Sequence, residues 1–186
     1  RIFVITQGRT WILYSLDKNI TDSEVQSTYL TPSASAQDGM KYIGMEYSDL
    51  PSNLQESFSM IVAPAESLNY SLSGIHSADQ YMIWLNKSVG KDSHGTIRWK
   101  VLDVLVLPPL SGEDDVLIPP GGCKIDGVLD PEVMVVAVLD EDSRQTRYLE
   151  NSKILKAWRI SRSAGEFQNI ATEGIECFAD DAFTWK

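Results

Sequence analysis

The sequence predicts a mainly β protein, an antiparallel barrel or sandwich with one or two short helical turns, with an α+β arrangement as the alternative. Three observations predict it. Apolar, β-branched runs such as Val101–Leu107 and Val133–Leu139 are bounded by Pro-Pro, Asp-Pro and acidic turns. Glycine-containing turns sit at hairpin spacing at Gly8-Arg9 and Arg162-Ser163-Ala164-Gly165. No segment keeps a helical apolar stripe beyond about three turns. With 186 residues, 43% hydrophobic and 23% charged, the composition is that of a single soluble globular domain, 1–186, large enough to bury a core without metal or crosslink. Extended disorder, collagen and coiled coil are excluded, and there is no internal repeat.

In chain order, Ile2–Gln7 and Thr10–Leu16 flank Gly8-Arg9 and read as a hairpin. Asp17–Glu24 is polar, Val25–Leu30 is a weaker strand and Thr31–Gly39 is a loop of small residues. Lys41–Tyr47 alternates Tyr42, Gly44, Glu46 against Ile43, Met45, Tyr47 as a half-buried strand, and Ser48-Asp49-Leu50-Pro51 then supplies a cap and a proline for a helical turn over Ser52–Phe58. Ser59–Ala63 and Tyr81–Asn86 have strand length, and the Ser-rich Glu66–Gln80 between them reads as a long connection. Thr96–Leu107 is the strongest strand signal, with Ile97, Trp99 and Val101 on one face before the run becomes continuously apolar. Leu110–Gly122 is a loop with a short edge piece, and Val133–Leu139 has the composition of a central buried strand. Ser152–Ser161 fits either a helical face or a strand face, and the turn that follows favours a bulged hairpin of Ala157–Ser161 with Glu166–Ile170. Ile175–Phe178 is the last strand.

Sixteen basic against 26 acidic residues give a net charge of −10, which repels nucleic acid and anionic membranes, so partners are expected to be neutral or cationic. No apolar run is long enough to span a bilayer as a helix, so no membrane insertion is expected. The chain opens on Arg1 rather than Met, as a trimmed or processed product would. Cys123 and Cys177 have no metal-like spacing; they form either one disulfide, which requires an oxidising compartment, or two small buried hydrophobes of a cytoplasmic protein. Sequons begin at Asn19, Asn69 and Asn86 and are expected by chance in a chain this rich in Ser and Thr.

Candidate sites are few. His76, Asp79, Asp92 and His94 offer nitrogen and oxygen ligands for a divalent metal, although their spacing matches no zinc motif and both histidines lie in polar sequence. The acidic clusters Glu113-Asp114-Asp115, Asp140-Glu141-Asp142 and Asp180-Asp181 lack calcium-loop spacing and read as solvated loop tips. Gly-x-Ser-x-Gly and phosphate-binding glycine motifs are absent, so no catalytic residue and no cofactor is expected. The basic segment Arg144–Arg162 interleaves cations with Tyr148 and Trp158, and salt bridging to nearby acids is its plain reading. Trp11, Trp99, Trp158, Tyr148 and Arg159 are the candidates for an aromatic ligand-binding face, against the alternative that the rings fill the core.

In the last third, Cys123, Asp126-Gly127, Asp130-Pro131-Glu132, Ala157-Trp158-Arg159, Gly165, Phe167, Gly174 and Cys177 stand in an order that resembles an uncharacterised group of small cyanobacterial proteins, over roughly residues 121–181. The resemblance implies an origin and paired cysteines, and brings no activity. The leading expectation is a non-catalytic accessory or binding protein, extracytoplasmic and periplasmic in particular, whose partner is a protein or a small apolar or carbohydrate ligand. A metal-assisted hydrolase or isomerase using His76, Asp79, Asp92 and His94 is the second reading, and a subunit that self-assembles through strand edges is the third.

Overall fold

A computed structural model describes residues 2–7, 10–15, 28–29, 39–62, 69–78, 80–107, 114–179 and 182. The chain divides into two compact units, 1–37 and 38–186. In the first, β1 (Ile2–Gln7) pairs antiparallel with β2 (Thr10–Ser15), with Gln7 opposite Thr10, which is the expected hairpin, and β3 (Thr28–Tyr29) adds to β2.

The second unit is built from three antiparallel sheets. The widest contains β4 (Glu46–Tyr47), β5 (Gln55–Ile61), β6 (Tyr70–His76), β7 (Tyr81–Lys91) and β8 (Ile97–Val106) in the order β4-β8-β7-β6-β5. A middle sheet contains β9 (Asp115–Ile118), β12 (Val133–Val138), β14 (Ile154–Ser161) and β15 (Glu166–Ile170) in the order β15-β14-β12-β9. A cystine sheet contains β10 (Cys123–Ile125), β11 (Val128–Leu129), β13 (Tyr148–Leu149) and β16 (Ile175–Phe178) in the order β11-β10-β16-β13. The mainly β prediction holds, and among the described residues no sheet closes into a barrel.

Side-chain alternation explains the stacking. Along β12, Met134 and Val136 point into one core with Leu117, Trp158 and Ile160, where they meet Leu72, Tyr81, Ile83 and Leu85 of the wide sheet. Val133, Val135 and Ala137 point the other way, into a second core with Val116, Ile118 and Ala157, where they meet Cys123, Leu149, Ile175 and Cys177 of the cystine sheet. Strands β9 and β12 of the middle sheet are thus buried on both faces, and the continuous apolar character of Val133–Leu139 is what such a strand requires.

Several elements depart from the sequence reading. The turn expected over Ser52–Phe58 is mostly strand β5, and the helical turn lies instead over residues 39–44, within a segment read partly as strand. Proline at position 51 closes a tight turn, with the Leu54 amide donating to the Pro51 carbonyl, and Gln55 onward then pairs with β6. The connection Glu66–Gln80 contains β6, whose serines disguised it: Ser71 and Ser73 are buried and hydrogen-bonded, so both faces of this strand are covered although only one is apolar. Asp140-Glu141-Asp142, read as a loop tip, opens a short helix α1 (Glu141–Thr146), with Asp140 as N-cap accepting from the Ser143 amide at 2.9 Å. The hairpin of β14 with β15 is present, from Ala157 opposite Ile170 to Ser161 opposite Glu166. The bulge lies earlier: Ile154 pairs with Ala137 and Lys156 with Val136, leaving Leu155 unpaired and exposed, so that Ile154 and Trp158 enter different cores. This reset of parity is why the segment fitted two patterns.

Cys123 and Cys177 are directly opposed on β10 and β16 and form a disulfide, with Cα atoms 4.0 Å apart and both side chains buried. The adjoining hairpin turns at Asp126 and Gly127, both at positive φ (50° and 78°), as an Asp-Gly two-residue turn demands. The bond closes a sequence separation of 54, for which chain entropy gives about 4 kcal/mol before any native-state cost. Replacing both cysteines with alanine is expected to lower the unfolding free energy by roughly 2–4 kcal/mol in denaturant titration, and reductant is expected to reproduce the loss in the native chain.

Candidate functional site

The outer face of the wide sheet gathers aromatic and polar side chains from several strands. Met82, Trp84 and Asn86 share this face on β7, opposite Ser71, Ser73 and Ile75 on β6; Trp99 and Val101 continue it on β8, and Tyr47 on β4 lies opposite Trp99. The helical turn at 39–44 and the segment after it fold over the face, bringing Tyr42, Met45, Leu50 and Leu54 onto Trp84 and Val101. Tyr42 lies 5.0 Å from the Trp84 ring, tilted by 39°, and Tyr47 meets it edge-on at 5.7 Å. Tyr42, Tyr47 and Trp99 are half-buried, whereas Trp84 and Asn86 are fully buried.

The polar atoms here are incompletely paired. The Asn86 amide nitrogen donates to Ser73 Oγ at 3.3 Å and to Ser71 Oγ at 3.4 Å, and Ser73 Oγ is 3.4 Å from Ser59 Oγ. Asn86 Oδ1 and Trp84 Nε1, one acceptor and one donor two residues apart on the same face, have no hydrogen-bond partner. A buried polar atom left unpaired costs about 1–3 kcal/mol. Burial pushes the Tyr47 hydroxyl up to about 12, against a smaller lowering by its hydrogen bond to Ser73, and the nearby Glu56 charge adds to the rise.

Of the ligand-face candidates, Trp99 lies on this face beside Tyr47. Trp158 is 5% exposed in the core between the wide and middle sheets. Tyr148 packs on Phe178 at 4.9 Å on the cystine sheet, where Lys124 Nζ donates to its hydroxyl at 3.2 Å. Arg159 is held by Asp130 at 2.7 Å, and Arg162 by Glu132 at 2.5 Å, while Lys153 pairs with Asp140, in keeping with the salt-bridge reading of the basic segment. Trp11 lies on β2 opposite Thr6, its side chain outside the described residues. Trp99, Trp158, Tyr148 and Arg159, the four in the second unit, therefore do not form one surface.

The proposed metal ligands are not brought together. His76 ends β6 opposite Tyr81, edge-on to its ring at 4.4 Å, whereas Asp92 and His94 lie in the turn beyond the far end of β7. The 11 residues of β7 separate them by about 30 Å. Asp92 Oδ1 accepts the amides of His94 and Thr96, both at 2.9 Å, and the Thr96 amide chiefly holds its carboxyl below the usual range. Its chemistry is that of a turn. Asp79 lies outside the described residues, and among those described no three His, Cys, Asp or Glu converge.

Trp84, Asn86, Tyr42 and Tyr47 were missed as a group by sequence reasoning. Their one local signal was Asn86 at the end of an apolar strand, a polar residue where the pattern called for another hydrophobe. No protein-family model, no curated protein and no solved structure matches the chain.

Because Tyr47 ionises near 10 in the unfolded chain and about 12 in the folded one, its contribution is complete below pH 10 and is lost as pH rises through 12. Stability measured by denaturant titration is expected to fall over that window, and Tyr47→Phe is expected to flatten the fall.

Proposed function

We propose that this chain is a non-catalytic binding protein of an oxidising, extracytoplasmic compartment, and that it takes a neutral, carbohydrate-like ligand on the outer face of its wide sheet. The observation that carries the reading is the unpaired donor and acceptor, Trp84 Nε1 and Asn86 Oδ1, on the face where the half-buried rings of Tyr42 and Tyr47 pack on Trp84 and Trp99 lies beside Tyr47. Sugars combine apolar ring faces, which stack on aromatic side chains, with hydroxyls that both donate and accept. The site needs both properties and offers no metal-ligand set or nucleophile-base pair.

Two facts support the compartment. The buried Cys123–Cys177 disulfide is of a kind that reducing cytoplasm does not normally maintain. The Asn86-Lys87-Ser88 sequon has a fully buried asparagine, where a glycan attached to the unfolded chain would have no room. An oxidising space without N-glycosylation, such as a bacterial periplasm, satisfies both.

Titration with a panel of neutral oligosaccharides, followed by tryptophan fluorescence, is expected to give a saturable change that Trp99→Ala weakens by roughly tenfold. Asn86→Leu is expected to abolish it while leaving the fold intact; no saturable change with any member of the panel would refute the proposal. Secretion through a glycosylating host is expected to yield misfolded protein modified at Asn86, and Ser88→Ala, which removes the sequon but keeps the asparagine, is expected to restore secretion of folded chain.

A further inference from the structure

The opposite face of the same sheet carries a second surface. Where the burial of this face ends, the register of β6, β7, β8 and β4 lines up Tyr70, Lys87, Lys100 and Glu46 in one row across four strands, Tyr70 still packed in part against the core. Neighbouring strands lie about 4.8 Å apart, so the row is about 14 Å wide. Lys87 and Lys100 are directly opposed. Lys87 is exposed, with its ammonium 5.7 Å from the Tyr70 ring centre, and Lys100 is half-buried. Glu46, the one acid in the row, is engaged by Arg98 from the same face. Among the described residues neither lysine has a carboxylate within ion-pair distance.

That pairing is unfavourable by itself. Like charges directly opposite on adjacent strands repel and weaken the sheet. It also stands out in a chain of net charge −10, where 26 acids could have supplied partners. We infer that the Tyr70–Lys87–Lys100 row is a docking surface for an acidic segment of a partner protein, whose carboxylates neutralise the two lysines while its apolar portions lie on Tyr70. The surface is an open sheet face, which suits an extended segment better than a small ion. The size of the patch sets the length of the ligand: charges farther than about 8 Å are screened at physiological ionic strength, so a short acidic segment experiences the local cations, whereas a long polyanion also meets the excess negative charge of the rest of the chain.

Fluorescence anisotropy of a labelled hexaglutamate peptide tests this directly. The native chain is expected to bind it in a salt-dependent manner, and the double variant Lys87→Ala/Lys100→Ala to bind roughly tenfold more weakly or not at all. The control Lys91→Ala/Lys156→Ala, which removes two exposed lysines elsewhere, is expected to bind as the native chain does. Because the test variant removes a repulsive pair, its melting temperature is expected to be unchanged or higher, which separates lost binding from lost folding. Absence of binding to the native chain, or equal weakening in both double variants, overturns the inference. Displacement of the peptide by inorganic phosphate or by a sulfated oligosaccharide at lower concentration than by unlabelled peptide also overturns it, in favour of a small anion or an acidic glycan.

Discussion

The rest of the structure depends on two paired strands, β9 and β12, that have no solvent face. Once the middle sheet is covered by the wide sheet on one side and the cystine sheet on the other, every interior position of β9 and β12 must be apolar or internally bonded, whichever way it points. Full burial of each Val, Leu, Ile or Met contributes about 1.5–3 kcal/mol. The same constraint moves charges to the rim, where Arg159 and Arg162 reach Asp130 and Glu132 across the end of the sheet. It also leaves further polar chemistry to the outer faces of the two covering sheets and to the part of the wide sheet that the middle sheet does not cover.

The two covers meet this constraint differently. Strands of the cystine sheet are two to four residues long, too short to hold by pairing alone, and the disulfide ties its two central strands directly through the core. The wide sheet has strands of up to 11 residues and extends past its neighbour. One of its faces is roofed by the aromatic segment at 39–54 around Trp84, and the overhanging part of the other exposes the opposed lysines. A single long sheet thus presents two chemically unlike surfaces, one aromatic and neutral, one cationic. A cationic row in a chain of net charge −10 is possible because a total does not describe how charge is distributed.

Legibility in the sequence followed how completely local pattern and final environment agreed. Val133–Val138 and the 157–170 hairpin could be read because burial on two faces and a glycine turn both leave local marks. Residues 70–76 could not, because Ser71 and Ser73 resemble loop residues unless Asn86, fifteen and thirteen positions away, is known to bond them. Within the basic segment Trp158 is core and Arg159 is paired, whereas the rings that do gather, Tyr42, Tyr47, Trp84 and Trp99, come from three separate segments.

The amino-acid sequence by itself determined the β class, the most deeply buried strand and the availability of one disulfide, since these rest on composition and on contacts between near neighbours in the chain. Only the tertiary structure decided that three sheets stack, that His76 and His94 lie at opposite ends of β7, and that Lys87 faces Lys100. Those facts depend on strand register. A one-residue slip sends every side chain of a strand to the other face, and register here is set by irregularities at Leu85/Asn86 and Val136/Ala137 that no local pattern announces.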